Sequence, residues 1–134
     1  MINFEMNGGV AGLKEDVKKL EKALFQEFKK DGDISIAFVD SKTSKKLNKT
    51  YRGKNKPANI LTFVYNDEDS LGEIILCKEE LKHFAKEQNI SIKKAAIYLI
   101  IHGMCHIFGF THKINKKAVQ MEKKEMKIKK MIKI

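Results

Sequence analysis

Leu13, Val17, Leu20, Leu24 and Phe28 recur at intervals of three and four residues, which is the stripe of an amphipathic helix. Asp31-Gly32 is expected to close it. Ahead of that helix, Ile2 to Met6 reads as a short strand ended by the turn residues Asn7-Gly8-Gly9. Behind it, Ile34 to Val39 reads as a second strand. Asp40 or Ser41 is then placed to cap a helix running to about Tyr51, with Leu47 and Tyr51 sharing a face. Gly53 to Pro57 reads as a loop. Ile60 to Tyr65 is rich in β-branched and aromatic residues and makes a third strand. Past a polar turn at Asn66 to Ser70, Glu73 to Leu76 returns as a fourth strand and hairpin partner.

The remaining pattern is helical. Lys78 to Gln88 turns Leu81, Phe84 and Ala85 inward, and Ser91 caps a long apolar helix ending near Phe108. The near-continuous apolar character of that helix implies burial on most sides. Ala118, Met121, Glu125 and Ile128 continue the period on a last helix, whose many lysines suggest fraying over about 128–134. Strands separated by helices, then a helical half, predict an α+β fold. It is expected as a single layer-packed domain over 1–134, a small mixed four-stranded sheet covered by about five helices.

Composition narrows the class. With 43% hydrophobic and 33% charged residues, the 134-residue chain suits a globular domain with a real core. Its longest apolar run, Ala95 to Ile101, is far short of the roughly 18 residues a membrane span needs, so no membrane partner is expected. Glu5 and two glycines stand where a secretory signal would be basic and then apolar. Two cysteines, Cys77 and Cys105, make no disulfide framework and suit a reducing cytoplasm. Cys105 reads as a small buried residue. The net charge of +10 is concentrated in two places. Between Ser41 and Pro57 stand Lys42, Lys45, Lys46, Lys49, Lys54, Lys56 and the only arginine, Arg52, with no acid. From Lys113 onward there are nine lysines against Glu122 and Glu125. Both are candidate phosphate-tracking surfaces.

Three of the four histidines lie within eleven residues, in the run His102-Gly-Met-Cys-His106-Ile-Phe-Gly-Phe-Thr-His112. The first two are one helical turn apart and leave the same face, and Gly109 lets the chain turn so that a third imidazole can return. Three neutral imidazoles suit one zinc ion with an open position, although nickel, copper and cobalt accept the same ligands. Water on such a zinc has a pKa near about 7, so the site has hydrolytic capability. A zinc protease places a glutamate directly after the first histidine, where this chain has Gly103. Losing that base removes a factor of about 10² to 10⁴ in rate, which turns the reading away from peptides. Phosphodiester cleavage fits better. Arg52 can present a bidentate fork to phosphoryl oxygens, with Lys49, Lys54 and Lys56 holding the backbone, and RNA carries its own 2′-hydroxyl nucleophile.

These residues fall into motifs: His-Gly-x-x-His-x-x-Gly-Phe-x-His at 102–112, Leu47-Asn48-x-x-Tyr51-Arg52 followed by Pro57 and Ile60-Leu61-Thr62-Phe63, and Leu71-Gly72-Glu73-Ile74. In them the chain resembles the bacterial rRNA maturation factor family, the YbeY-type endoribonucleases, with matching order and spacing over residues 33–130. The resemblance implies a zinc-dependent, single-strand-specific endoribonuclease acting in 3′-end maturation of small-subunit 16S rRNA and in ribosome quality control, in the cytoplasm. Its partners would be RNA and the small ribosomal subunit, with no specific role for DNA. It implies His102, His106 and His112 as metal ligands and Arg52 as the required arginine. Asn55, Asn59 and Thr111 stand where the family commonly has aspartate, so the general base is left open. Two other classes fit fewer features. One is an RNA-binding ribosome-assembly factor whose metal is mainly structural. The other is a zinc hydrolase or protease taking its carboxylate from outside the motif, with Asp67, Glu68, Asp69 and Glu73 as the nearest acids in sequence.

Overall fold

The hydrophobic stripes assemble around one buried helix. A computed structural model of the chain describes residues 1–65, 67, 70–110 and 115–133. In chain order the elements are β1 (Ile2–Asn7), α1 (Leu13–Phe28), β2 (Gly32–Val39), α2 (Ser41–Arg52), β3 (Ile60–Val64), β4 (Ser70–Cys77), α3 (Lys78–Gln88), α4 (Ile92–Ile107) and α5 (Asn115–Met131). The fold is α+β, as the pattern predicts. The strands form one sheet in the order β1-β2-β4-β3. β1 pairs parallel to β2, and β2 parallel to β4, each connection crossing through a helix. β3 folds back antiparallel on β4, with Thr62 opposite Ile74 and Phe63 opposite Glu73. This leaves β3 as an edge strand.

α4 carries almost no polar residue on its inner turns, and burial follows. Ala96, Ile97, Ile100, Ile101, Met104 and Cys105 are fully buried. The helix packs on β3 and β4 and is covered by α1, α3 and α5. Ser91 caps it by accepting from the Lys94 amide at 3.1 Å. At Gly103 α4 lies tight on the sheet: a Cβ there would lie 2.9 Å from Thr62 Cγ2 and 3.0 Å from Ile60 Cδ1. Gly103→Ala gains helix propensity of about 1 kcal/mol but overpacks the seam, at a typical cost of about 1–3 kcal/mol. A net loss of up to about 2 kcal/mol is therefore expected in urea unfolding. A more stable alanine variant would show that the helix does not rest this closely on β3.

Several boundaries differ from the sequence reading. α1 stops at Phe28, where Lys29 adopts φ 53°, and Gly32 begins β2 instead of ending the helix. On α2, Asp40 is the cap and accepts from the Thr43 amide at 2.8 Å. The face that α2 buries carries Ser44 and Asn48, while Tyr51 stays 64% exposed. Polar residues are buried there because they hold a loop, as described below. The lysine-rich end is helical through most of the described residues. α5 runs to Met131, with Ile128 and Ile132 buried against the core. Lys124 and Lys127 both pair with Glu27 of α1, the latter at 3.0 Å. The two ammonium groups, Lys124 first, hold the Glu27 carboxyl below the usual carboxylate range. Lysine stems also cover apolar surface, so charge alone is a poor sign of fraying. Among the described residues no single helix is long and apolar enough to cross a membrane.

Candidate active site

His102 and His106 occupy successive turns of α4 and leave its one half-polar face together. Each ring is fixed through its Nδ1. His106 Nδ1 lies 3.0 Å from the Phe110 carbonyl oxygen, and His102 Nδ1 lies 3.2 Å from Glu125 Oε2. A carbonyl can only accept, so the His106 proton resides on Nδ1, and the Glu125 carboxylate assigns His102 the same tautomer. In the neutral rings both Nε2 atoms are then acceptors, yet they face one another at 3.2 Å. Two lone pairs so placed repel unless a proton or a metal ion lies between them. A tetrahedral ion at about 2.0–2.1 Å from each nitrogen would separate them by about 3.3 Å. The donor set therefore fits a divalent metal. No three-ligand group of His, Cys, Asp and Glu occurs among the described residues. His112, the expected third ligand, lies outside them, as does Thr111.

Local sequence explains the second contact of His106. Gly109 adopts φ +98°, which turns the chain at the end of α4 and carries the Phe110 carbonyl back to the ring. Phe108 and Phe110 anchor this turn on Phe28 of α1, with ring centroids 4.3 and 6.2 Å apart. Cys105 takes no part. Burial pushes its thiol up to about 12, so it is a neutral core group at ordinary pH.

Glu125 is the residue of this arrangement that sequence reasoning missed. It stands on the apolar stripe of α5 between Met121 and Ile128, and an acid on a buried stripe was the available signal. Such outer carboxylates orient a ligating imidazole and raise its basicity. Glu125→Ala is expected to weaken metal affinity about 10- to 100-fold with the fold retained, as read by chelator competition. Glu125→Gln keeps an acceptor oxygen and should fall between the two. Unchanged affinity in both variants would remove Glu125 from the site.

Arg52, Lys56, His102 and His106 line a single cleft of about 860 Å³, whose other wall is the edge strand from Ile60 to Phe63. Arg52 is the last residue of α2 and is exposed. The loop after it is pinned by the buried face of that helix. Ser44 Oγ accepts from the Ala58 amide and donates to its carbonyl, each at 2.9 Å, and Asn48 Nδ2 donates to the Lys56 carbonyl at 2.8 Å. Lys49, Lys54 and Asn55 are exposed but do not line the cleft. Asn59 does, and so does Thr62. Behind His102 a smaller groove of about 370 Å³ shares Asn59 and Ile60 with the cleft and is bounded by Glu125, Tyr98 and Lys129. Of the acids nearest in sequence, Glu73 is engaged by the Tyr65 hydroxyl at 2.6 Å on the sheet, and Glu68 and Asp69 lie outside the described residues.

A family model described as Endoribonuclease YbeY matches residues 5–133. The chain belongs to the YbeY family. Members of the YbeY family are generally metal-dependent. Proteins named Endoribonuclease YbeY are 41% identical over 99 residues in Janthinobacterium sp. (strain Marseille) and 38% over 103 residues in Colwellia psychrerythraea. These matches cover 71% and 73% of the chain. The chain spans 65% and 66% of those two proteins' length, just under two thirds. One from Wigglesworthia glossinidia brevipalpis is 38% identical over 112 residues, covering 79% of the chain and 74% of that protein. A solution structure of a Thermotoga maritima protein superposes with a TM-score of 0.71 at 28% identity, over 98% of this chain and 89% of that one.

Proposed function

We propose that the chain is a metal-dependent endoribonuclease that cleaves single-stranded regions of ribosomal RNA in the cytoplasm. Its task is 3′-end maturation of small-subunit 16S rRNA and ribosome quality control. The observation that carries this reading is the shared cleft. A guanidinium and a lysine stand with two imidazoles whose Nε2 atoms converge on one point. The names of the YbeY relatives point the same way.

His102, His106 and His112 would hold one zinc ion. When bound, it supplies a Lewis acid for a phosphoryl oxygen and lowers the pKa of water. Glu125 and the Phe110 carbonyl keep the imidazoles in the ligating tautomer. Arg52 binds the scissile phosphate through its fork and offsets the charge that develops there. Lys56 holds a neighbouring phosphate inside the cleft, and Lys49 and Lys54 extend the cationic track outside it. A base directly after the first histidine, where a zinc protease carries it, has no room in this fold, because the Gly103 position is closed against Thr62 and Ile60.

The test is incubation of the zinc-loaded chain with a 16S rRNA 3′-end precursor and with the same sequence as a duplex. Cleavage should occur in the unpaired substrate, stop with EDTA and resume with added zinc. A metal-loaded chain that cuts no RNA would overturn the proposal.

A further inference from the structure

Tyr51 is the most exposed aromatic side chain among the described residues, at 64%, and the fold gives it little to do. It sits one residue before Arg52 and lines the same cleft. Its ring is braced by Phe63, with centroids 5.1 Å apart and planes at 77°. That contact fixes the ring's orientation, while its exposure leaves at least one face open. Phe63 near the end of β3 and Tyr65, directly after the strand, alternate to the same side of the chain, so with Tyr51 three rings make a short row beside the cleft. The row does not suit a phosphate. Tyr65 is bonded to the Glu73 carboxylate, and Glu73 lies directly opposite Phe63 in the sheet. The cations lie beside it: Arg52 and Lys56 in the cleft and Lys49 and Lys54 nearby, in a stretch from Ser41 to Pro57 without a single acid.

Phosphates drawn to the cations would leave their bases a few ångströms away, beside the aromatic row. We infer that Tyr51, braced by Phe63, is a nucleobase subsite that stacks one unpaired base next to the phosphate held by Arg52. The inference rests on the endoribonuclease reading and adds a source of strand preference to it. In a duplex both faces of each base are already stacked on neighbours, so only an unpaired nucleotide can offer a face to the ring. Tyr51 is thus a specificity-determining residue, separate from the metal ligands.

The experiment measures binding apart from cleavage. A fluorescently labelled, fully 2′-O-methylated RNA 12-mer is titrated with the zinc-loaded chain by anisotropy, single-stranded and as a duplex, at one fixed salt concentration. Tyr51→Ala should weaken single-strand binding about tenfold, within the range of one base–aromatic stack, and leave duplex binding within about twofold. Tyr51→Phe should restore the single-strand affinity, because the ring and not the hydroxyl makes the contact. Equal single-strand affinity in wild type and Tyr51→Ala, or equal losses on both forms, would overturn the subsite while leaving the endoribonuclease reading intact. Wild-type protein that binds neither form would overturn both. Circular dichroism of each variant separates these outcomes from misfolding.

Discussion

His106→Ala is expected to abolish RNA cleavage, lowering kcat/KM by about 10³ or more, with the secondary structure unchanged. A metal ion's stabilisation of transition-state charge is worth several kcal/mol, and each 1.36 kcal/mol is about a factor of ten in rate. The His106 ring is half-buried at the end of α4, and its packing is a small part of a core built from Ile97, Ile100, Ile101 and Met104. The variant should therefore fold but lose stoichiometric zinc, seen together by circular dichroism and elemental analysis. The contrast with Glu125→Ala is informative. Glu125 acts through His102, so excess zinc should rescue its variant, whereas no zinc concentration replaces a missing ligand. Full cleavage by His106→Ala in the absence of bound metal would sink the metal-dependent mechanism.

Much of this architecture is legible in the chain because it depends on neighbours in sequence. The helix Lys78–Gln88 matches its sequence reading, and Ser91 and Asp40 cap the helices they precede, since caps are local hydrogen bonds. The His102–His106 spacing fixes a shared helix face in the same way. What sequence leaves open depends on contacts between distant elements. The sheet order β1-β2-β4-β3 cannot be read from strand positions alone. Glu125 reaches His102 across 23 residues, because α5 is laid on α4 by Met121 and Ile128 and tied to α1 through Glu27. Asn48 and Ser44 look like solvent residues of a lysine-rich helix. They are buried because the loop returning from Arg52 presents backbone groups that must be satisfied. Gly103 shows the converse. Its identity reads in sequence as a missing catalytic base, and in the fold it is a spacing requirement between α4 and β3.

Arg52→Ala is expected to lower kcat by about 10² to 10³ while leaving zinc content and stability near wild type, the loss typical of removing one preorganised donor to developing charge. Arg52 ends α2, where any cation interacts favourably with the helix dipole by about 0.3–1 kcal/mol. That role would explain a basic residue but not an arginine in a chain with 26 lysines, 27 Lys and Arg less the one Arg. Among the described residues Arg52 makes no salt bridge, although it projects from a helix end beside the cleft. A guanidinium kept from carboxylates keeps its five donors for an incoming oxyanion. Arg52→Lys separates the two accounts. The lysine preserves the charge at the helix end and so the stability, but it offers a point charge where the fork made two parallel bonds. If the fork matters, cleavage by Arg52→Lys should resemble that of Arg52→Ala, with thermal unfolding unchanged in the lysine variant. A lysine variant that cleaves RNA as fast as wild type would reduce Arg52 to an electrostatic helix cap, and the phosphate contact would then belong to Lys56, the other lysine or arginine lining the cleft among the described residues.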